Sequence, residues 1–154
     1  MSLSEGAKAP DFTMPATGGR TVSLKDLKGK PFVLYFYPRA DTPGCTKEAC
    51  AFQEGLPDFS KLGVTVIGVS KDSMKALEKF AEKYGLAFPL ASDPEIKIIE
   101  AYGAWAEKSL YGKKYMGIER STVLVDAAGK VAKHWPKVKV AGHAEDVLKA
   151  VQAL

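Results

Sequence analysis

The chain has 154 residues, 46% hydrophobic and 26% charged, the proportions of an ordinary globular domain rather than of a disordered or fibrous chain. At this length roughly two-thirds of the unfolded chain's surface is buried on folding, so neither a disulfide framework nor a structural metal is needed. The 22 Lys plus Arg against 18 Asp plus Glu leave a net charge of +4, spread along the chain, which implies no nucleic-acid partner.

Nothing divides residues 1–154 into two domains: there is no repeat, low-complexity tract or long linker. The opening Met1-Ser-Leu-Ser-Glu-Gly-Ala-Lys8 lacks the apolar block of a secretory signal, and no apolar run is long enough for a membrane span. A soluble cytoplasmic protein is therefore the expectation. In that reducing compartment, a close cysteine pair is more often a redox or metal site than a structural disulfide. Here the pair is Cys45 and Cys50.

In chain order, Thr21-Val-Ser23 reads as a short strand. Phe32-Val-Leu-Tyr-Phe-Tyr37, a continuous apolar run flanked by prolines, reads as a strand buried on both faces. The Thr42-Pro-Gly44 turn then gives way to helix formers from Cys45 to about Glu54, and Pro57 is expected to kink or end that helix. Val64–Val69 predicts a strand and Ser73–Tyr84 a helix, with Leu77, Phe80 and Tyr84 on one face. Phe88–Ala91 and a helix from about Pro94 to Tyr102 repeat the step. Tyr111-Gly-Lys-Lys114 predicts a hairpin turn. Ser121–Asp126 and Lys130–Trp135 predict two antiparallel strands, and His143–Ala153 a final helix. Strand–helix alternation followed by a hairpin and a terminal helix fits an α/β fold with a mixed central sheet and helices on both faces. The thioredoxin-like fold is the first choice. A wholly parallel doubly wound sheet is the alternative, although the glycine fingerprint of dinucleotide folds is missing.

A thiol attacks only as thiolate, and an electropositive surrounding favours that form. The first turn of a helix supplies one, through unpaired N–H groups that could also approach a bound substrate across Gly44. The Thr42 hydroxyl could donate to, or accept from, a small polar ligand at the same place. Arg120, always charged, could hold both a thiolate and an incoming polar oxygen. On one helix, Cys45 and Cys50 would stand roughly 140° apart around the axis with Cα atoms roughly 8–9 Å apart. Bridged cysteines rarely exceed about 7 Å, so a Cys45–Cys50 disulfide requires the first turn or two to unwind. The same divergence opposes joint metal chelation, and only two histidines, His134 and His143, are present. Lys130, Lys133, Lys137 and Lys139, around His134 and Trp135, read as a solvated surface rather than a nucleic-acid footprint. Trp105 and Tyr111 are candidates for the rim of the site.

With Pro38, Thr42 and Cys45 in the order P-x-x-x-T-x-x-C, a second cysteine at Cys50 and Arg120 in R-S-T, the chain resembles the peroxiredoxins. It is most similar to the bacterioferritin-comigratory, or Q-type, group, through Ala9-Pro-Asp-Phe12, Phe36-Tyr-Pro38, Thr42-Pro-Gly-Cys-Thr46, Gly68-Val-Ser70, Tyr111-Gly-Lys113 and Gly117–Thr122. The resemblance implies a thioredoxin-like fold and reduction of hydrogen peroxide or an organic hydroperoxide. It implies that Cys45 is the nucleophile, that Arg120 favours its thiolate, that Thr42 orients the peroxide and that Pro38 shields the pocket. Cys50 would then close a disulfide with Cys45 that thioredoxin or a similar dithiol reduces. No bound cofactor is implied, and a monomer is expected. Two rival readings are a general dithiol–disulfide oxidoreductase, whose usual signature is C-x-x-C rather than the C-x-x-x-x-C found here, and a non-enzymatic redox sensor or chaperone-like module whose output is the unwinding itself.

Overall fold

The computed structural model describes residues 3–154; Met1 and Ser2, which open the segment read for a secretory signal, lie outside them. Among these residues, nine strands and four α-helices follow in the order β1 (Thr13–Ala16), β2 (Arg20–Ser23), β3 (Phe32–Phe36), α1 (Pro43–Lys61), β4 (Thr65–Ser70), α2 (Met74–Tyr84), β5 (Leu90–Ser92), α3 (Lys97–Ala101), β6 (Trp105–Leu110), β7 (Lys113–Ile118), β8 (Ser121–Val125), β9 (Val131–Trp135) and α4 (His143–Gln152), with a single 3-10 turn at Lys25–Leu27. A seven-stranded sheet runs β2-β1-β5-β4-β3-β8-β9, and β6-β7 form a separate hairpin. β3, β4 and β5 are parallel, whereas β8 and β9 run antiparallel beside β3. The sheet is thus mixed, and the wholly parallel alternative fails at β8.

Every residue of β3 is buried, because its side chains alternate between two cores. Val33, Tyr35 and Tyr37 enter the core under α1, α2 and α4; Leu34 and Phe36 enter the one that holds Ile99 of α3, Tyr102 and the N-terminal segment. Helices therefore cover both faces.

Three local expectations give way to tertiary context. Pro57 does not end α1, which continues to Lys61. Phe59, two residues on, is fully buried with its ring 6.1 Å from Phe52, and Leu56 packs partly against the same core. Burying these side chains is worth about as much as the roughly 3 kcal/mol an interior proline costs. α3 begins at Lys97 rather than near Pro94, because Ile96 takes a left-handed φ of 56° and the Asp93 carboxylate accepts from the Ile99 N–H at 2.8 Å. The hairpin turn is the dipeptide Tyr111-Gly112 alone, with φ of 51° and 77°, the twist that a two-residue turn requires. Lys113 and Lys114 already belong to β7.

Among the described residues no helix is long and apolar enough to cross a membrane.

Candidate active site

The chain leaves β3 at Phe36, and Tyr37 still bonds to the sheet, its N–H donating to the Val69 carbonyl at 3.1 Å. Pro38, half-buried, opens the loop that leads to α1. The Ala40 N–H donates to Asp72 Oδ2 at 2.8 Å, and Ser70 Oγ donates to the same oxygen at 2.7 Å, so the end of β4 fastens this loop. Thr42 takes the extended backbone of a helix cap (φ −94°, ψ 157°) without a side-chain cap bond; its hydroxyl donates instead to the Arg39 carbonyl at 2.9 Å. Its proton is thereby committed, and toward a ligand its oxygen can act only as an acceptor.

Pro43 stands at the first helical position, where a missing N–H costs nothing. The Gly44 and Cys45 N–H groups follow within the first turn and have no partner inside the helix. Cys45 is 1% exposed. Its sulfur is not sealed in hydrocarbon: Arg120 Nη2 donates to Cys45 Sγ at 3.3 Å, while Nη1 donates to Glu48 Oε1 at 2.7 Å. The guanidinium bridges the two side chains, and the Arg120 side chain as a whole is 18% exposed. A Cβ at Gly44 would lie 3.2 Å from Arg120 Nη2, so the close approach of arginine to the helix start depends on glycine there.

Arg120 immediately precedes β8, whose first residue, Ser121, pairs with Phe36 at the end of β3. The antiparallel pairing puts the arginine at the end of the sheet where α1 begins.

Glu48 is the charged residue beside the sulfur that sequence reasoning missed. It lies one helical turn beyond Cys45 with a side chain only 1% exposed, and its second oxygen, Oε2, has no hydrogen-bond partner. Burial raises its pKa from 4.5 to about 7 against the opposing pull of Arg120. Burial disfavours the guanidinium charge, yet the Glu48 carboxylate and the Cys45 sulfur hold the Arg120 pKa above its ordinary value. The spacing from Cys45 to Glu48 was a usable signal, since residues three apart share a helix face.

The other predicted residues lie further out. Cys50 is half-buried on the same helix, and neither cysteine is in a disulfide. Trp105 packs at the edge of the opposite core beneath Lys71, whose Nζ is 5.8 Å from the ring. Tyr111 is 96% exposed at the hairpin tip. The two histidines face elsewhere, His134 toward the Leu3 carbonyl and His143 toward Thr122 Oγ1. Among the described residues no group of three His, Cys, Asp or Glu is placed to hold a metal ion. Lys133 Nζ lies 5.1 Å from the centre of the Trp135 ring, a cation over an aromatic face.

A buried sulfur held by a guanidinium, at a helix start with free N–H donors, is built to carry negative charge and to stabilise it on an attacked ligand. Residues 6–134 match the AhpC/TSA family. The chain is 53% identical over 148 residues to a putative peroxiredoxin Bcp of Coxiella burnetii, covering 96% of this chain and 98% of that one. It is 47% identical over 152 residues to peroxiredoxin Bcp of Bacillus subtilis, covering 99% and 97%. Among solved structures it is similar to the bacterioferritin comigratory protein of Xanthomonas campestris, with a TM-score of 0.91 at 42% identity over 97% of this chain and 98% of that one. A cysteine-to-serine variant of Xylella fastidiosa PrxQ gives a TM-score of 0.93 at 36% identity over 99% and 98%.

Proposed function

The chain belongs to the AhpC/TSA family and is a thiol peroxidase of the peroxiredoxin type with a thioredoxin-like fold, and from that premise we propose that Cys45 is its peroxidatic nucleophile and Cys50 its resolving thiol. The observation that carries the assignment is the 3.3 Å contact from Arg120 Nη2 to Cys45 Sγ at the start of α1.

The Cys45 thiolate attacks one peroxide oxygen. An S–O bond forms, the O–O bond breaks, and the departing oxygen leaves as water or alcohol after taking a proton, so that sulfur is oxidised to a sulfenic acid as the peroxide is reduced. Arg120 and the first-turn N–H groups stabilise charge on the sulfur and the departing oxygen, and the Thr42 oxygen accepts a hydrogen bond from the peroxide. Pro38 walls the pocket from solvent. Cys50 then attacks the sulfenyl sulfur, releasing water and leaving a disulfide that an external dithiol such as thioredoxin reduces by exchange. Both cysteines lie on α1, so this step passes through an unwound first turn. The Xanthomonas campestris protein is described for alkyl peroxide reduction, which favours organic hydroperoxides alongside hydrogen peroxide as substrates. A monomer working in the cytoplasm completes the reading.

With thioredoxin, thioredoxin reductase and NADPH, the purified protein is expected to consume peroxide, and Cys45→Ser to consume none. Cys50→Ser is expected to form a trappable sulfenic acid after one equivalent of peroxide but no intramolecular disulfide by mass spectrometry. Unchanged turnover in Cys45→Ser would overturn the assignment.

A further inference from the structure

Because Cys50 meets Cys45 only after the first turn of α1 has come apart, whatever fastens the chain just ahead of that turn governs the second chemical step. The turn itself is weakly secured, since Thr42 makes no side-chain cap and Gly44 is its second residue. Beyond the Arg120 contacts and the Asp72 bond to Ala40, a further fastening comes from another helix. The Asp41 carboxylate accepts from Tyr84 Oη at 2.8 Å and from Lys83 Nζ at 3.0 Å, and Asp41 holds a left-handed φ of 59° to do so.

The other end of that tie is firm. α2 is capped by Ser73, whose hydroxyl accepts from the Ala76 N–H, and closed by Gly85 with a φ of 64°. The Tyr84 ring packs edge-on against Phe80 at 5.5 Å, and Phe80 lies 6.3 Å from Tyr37, next to Pro38. The anchor therefore leans on the same core that holds the Cys45 side chain, while the tie itself lies at the surface.

We propose that Asp41, Lys83 and Tyr84 form a latch that sets how often the first turn of α1 opens, and with it the share of Cys45 sulfenic acid that is resolved by Cys50 before a second peroxide reaches it. The inference rests on the roles given above to the two cysteines. Two fates then compete. In one, the Cys50 thiolate attacks the Cys45 sulfur, an S–S bond forms, the S–O bond breaks and the hydroxide takes up a proton as water. In the other, the sulfenate sulfur attacks a second peroxide, another S–O bond forms as the O–O bond breaks, the departing oxygen takes up a proton and leaves as water or alcohol, and the sulfur is left as a sulfinic acid.

The opened turn is a minor state, so the rate of disulfide closure scales with its population. Loosening the latch raises that population while the folded state still dominates, which leaves the first oxidation unchanged. The tie is solvent-exposed, with Lys83 59% and Asp41 43% accessible, and exposed pairs contribute little. The expected acceleration of closure is thus roughly two- to five-fold.

The test uses the intact reduced protein, one equivalent of hydrogen peroxide and rapid quenching, with sulfenic acid, disulfide and sulfinic acid separated by mass. Three variants probe the tie: Asp41→Asn, which keeps a residue tolerant of the left-handed backbone; Tyr84→Phe, which removes only the hydroxyl; and Lys83→Met. Each is expected to close the Cys45–Cys50 disulfide about two- to five-fold faster than the parent, with sulfenic acid formation unchanged and proportionally less sulfinic acid in excess peroxide. Raising salt to about 1 M should accelerate closure in the parent more than in Asp41→Asn, because the charge pair is screened. Closure at the parental rate in all three variants overturns the latch, and so does a first oxidation altered as much as the second step. If the parent forms no Cys45–Cys50 disulfide at all, the role given to Cys50 fails instead.

Discussion

Replacing Glu48 by glutamine should change how the stability of this protein depends on pH. The carboxyl is buried, and burial holds its pKa at about 7 rather than 4.5. The native chain therefore binds this proton more tightly than the unfolded chain does. The stability contributed is complete below pH 4.5 and is lost as pH rises through about 7. At about 1.4 kcal/mol per pKa unit, that interval is worth about 3 kcal/mol. His143 acts with the opposite sign. Burial holds its pKa down to about 4 from 6.5, so its contribution is present above pH 6.5 and is lost as pH falls through about 4. The two effects are of similar size and oppose each other between pH 4.5 and 6.5. Glu48→Gln removes one of them, and urea unfolding of the variant should show stability climbing by about 3 kcal/mol from pH 4 to 6.5, a rise the parent lacks. His143→Gln should show the reverse, a decline toward pH 7. If the parent and Glu48→Gln give parallel curves from pH 4 to 8, Glu48 does not hold a proton in the folded protein and the account of the buried pair is wrong.

Two further substitutions test the site and its support. Arg120→Met removes the donor to Cys45 Sγ and strands the Glu48 carboxyl, so sulfenic acid formation measured by stopped flow at pH 7 should slow about 10²-fold, the rate equivalent of roughly 2–3 kcal/mol. A loss below about threefold would mean that the guanidinium does not serve the sulfur. Gly68→Ala would place a Cβ 2.8 Å from Tyr35 Cζ and 3.0 Å from Leu90 Cδ2, an overpacking expected to cost about 1–3 kcal/mol in urea unfolding; a neutral result would show that the β3–β4 core can move aside.

The position of Cys45 was legible from its neighbours, since Pro43 and Gly44 break the chain before a run of helix formers. Of the two outcomes expected at Pro57, an end to the helix does not occur, because the buried rings of Phe52 and Phe59 carry it on to Lys61. β1 was unreadable for a related reason: Pro15 in Thr13-Met-Pro-Ala16 argues against a strand, yet Met14 and Ala16 point inward between β2 and β5. Glu48 was hidden most completely. A glutamate within a helix reads as solvent-facing by default, and only the packing of α1 against α4 and the sheet leaves it buried with Arg120 as its charged partner.

Arg120 stood out in the sequence by its fixed charge and by the R-S-T motif, and the sheet explains why this arginine, so distant along the chain, reaches Cys45. β8 runs antiparallel to β3 with Ser121 opposite Phe36, so the start of β8 lies at the end of the sheet where β3 gives way to α1. In the wholly parallel alternative the start of the neighbouring strand would lie beside Phe32, a five-residue strand or roughly 16 Å from the helix start. An arginine side chain could not span that distance. The reversal of strand direction at β8, which first distinguishes this fold from a doubly wound sheet, is also what delivers the positive charge to the sulfur.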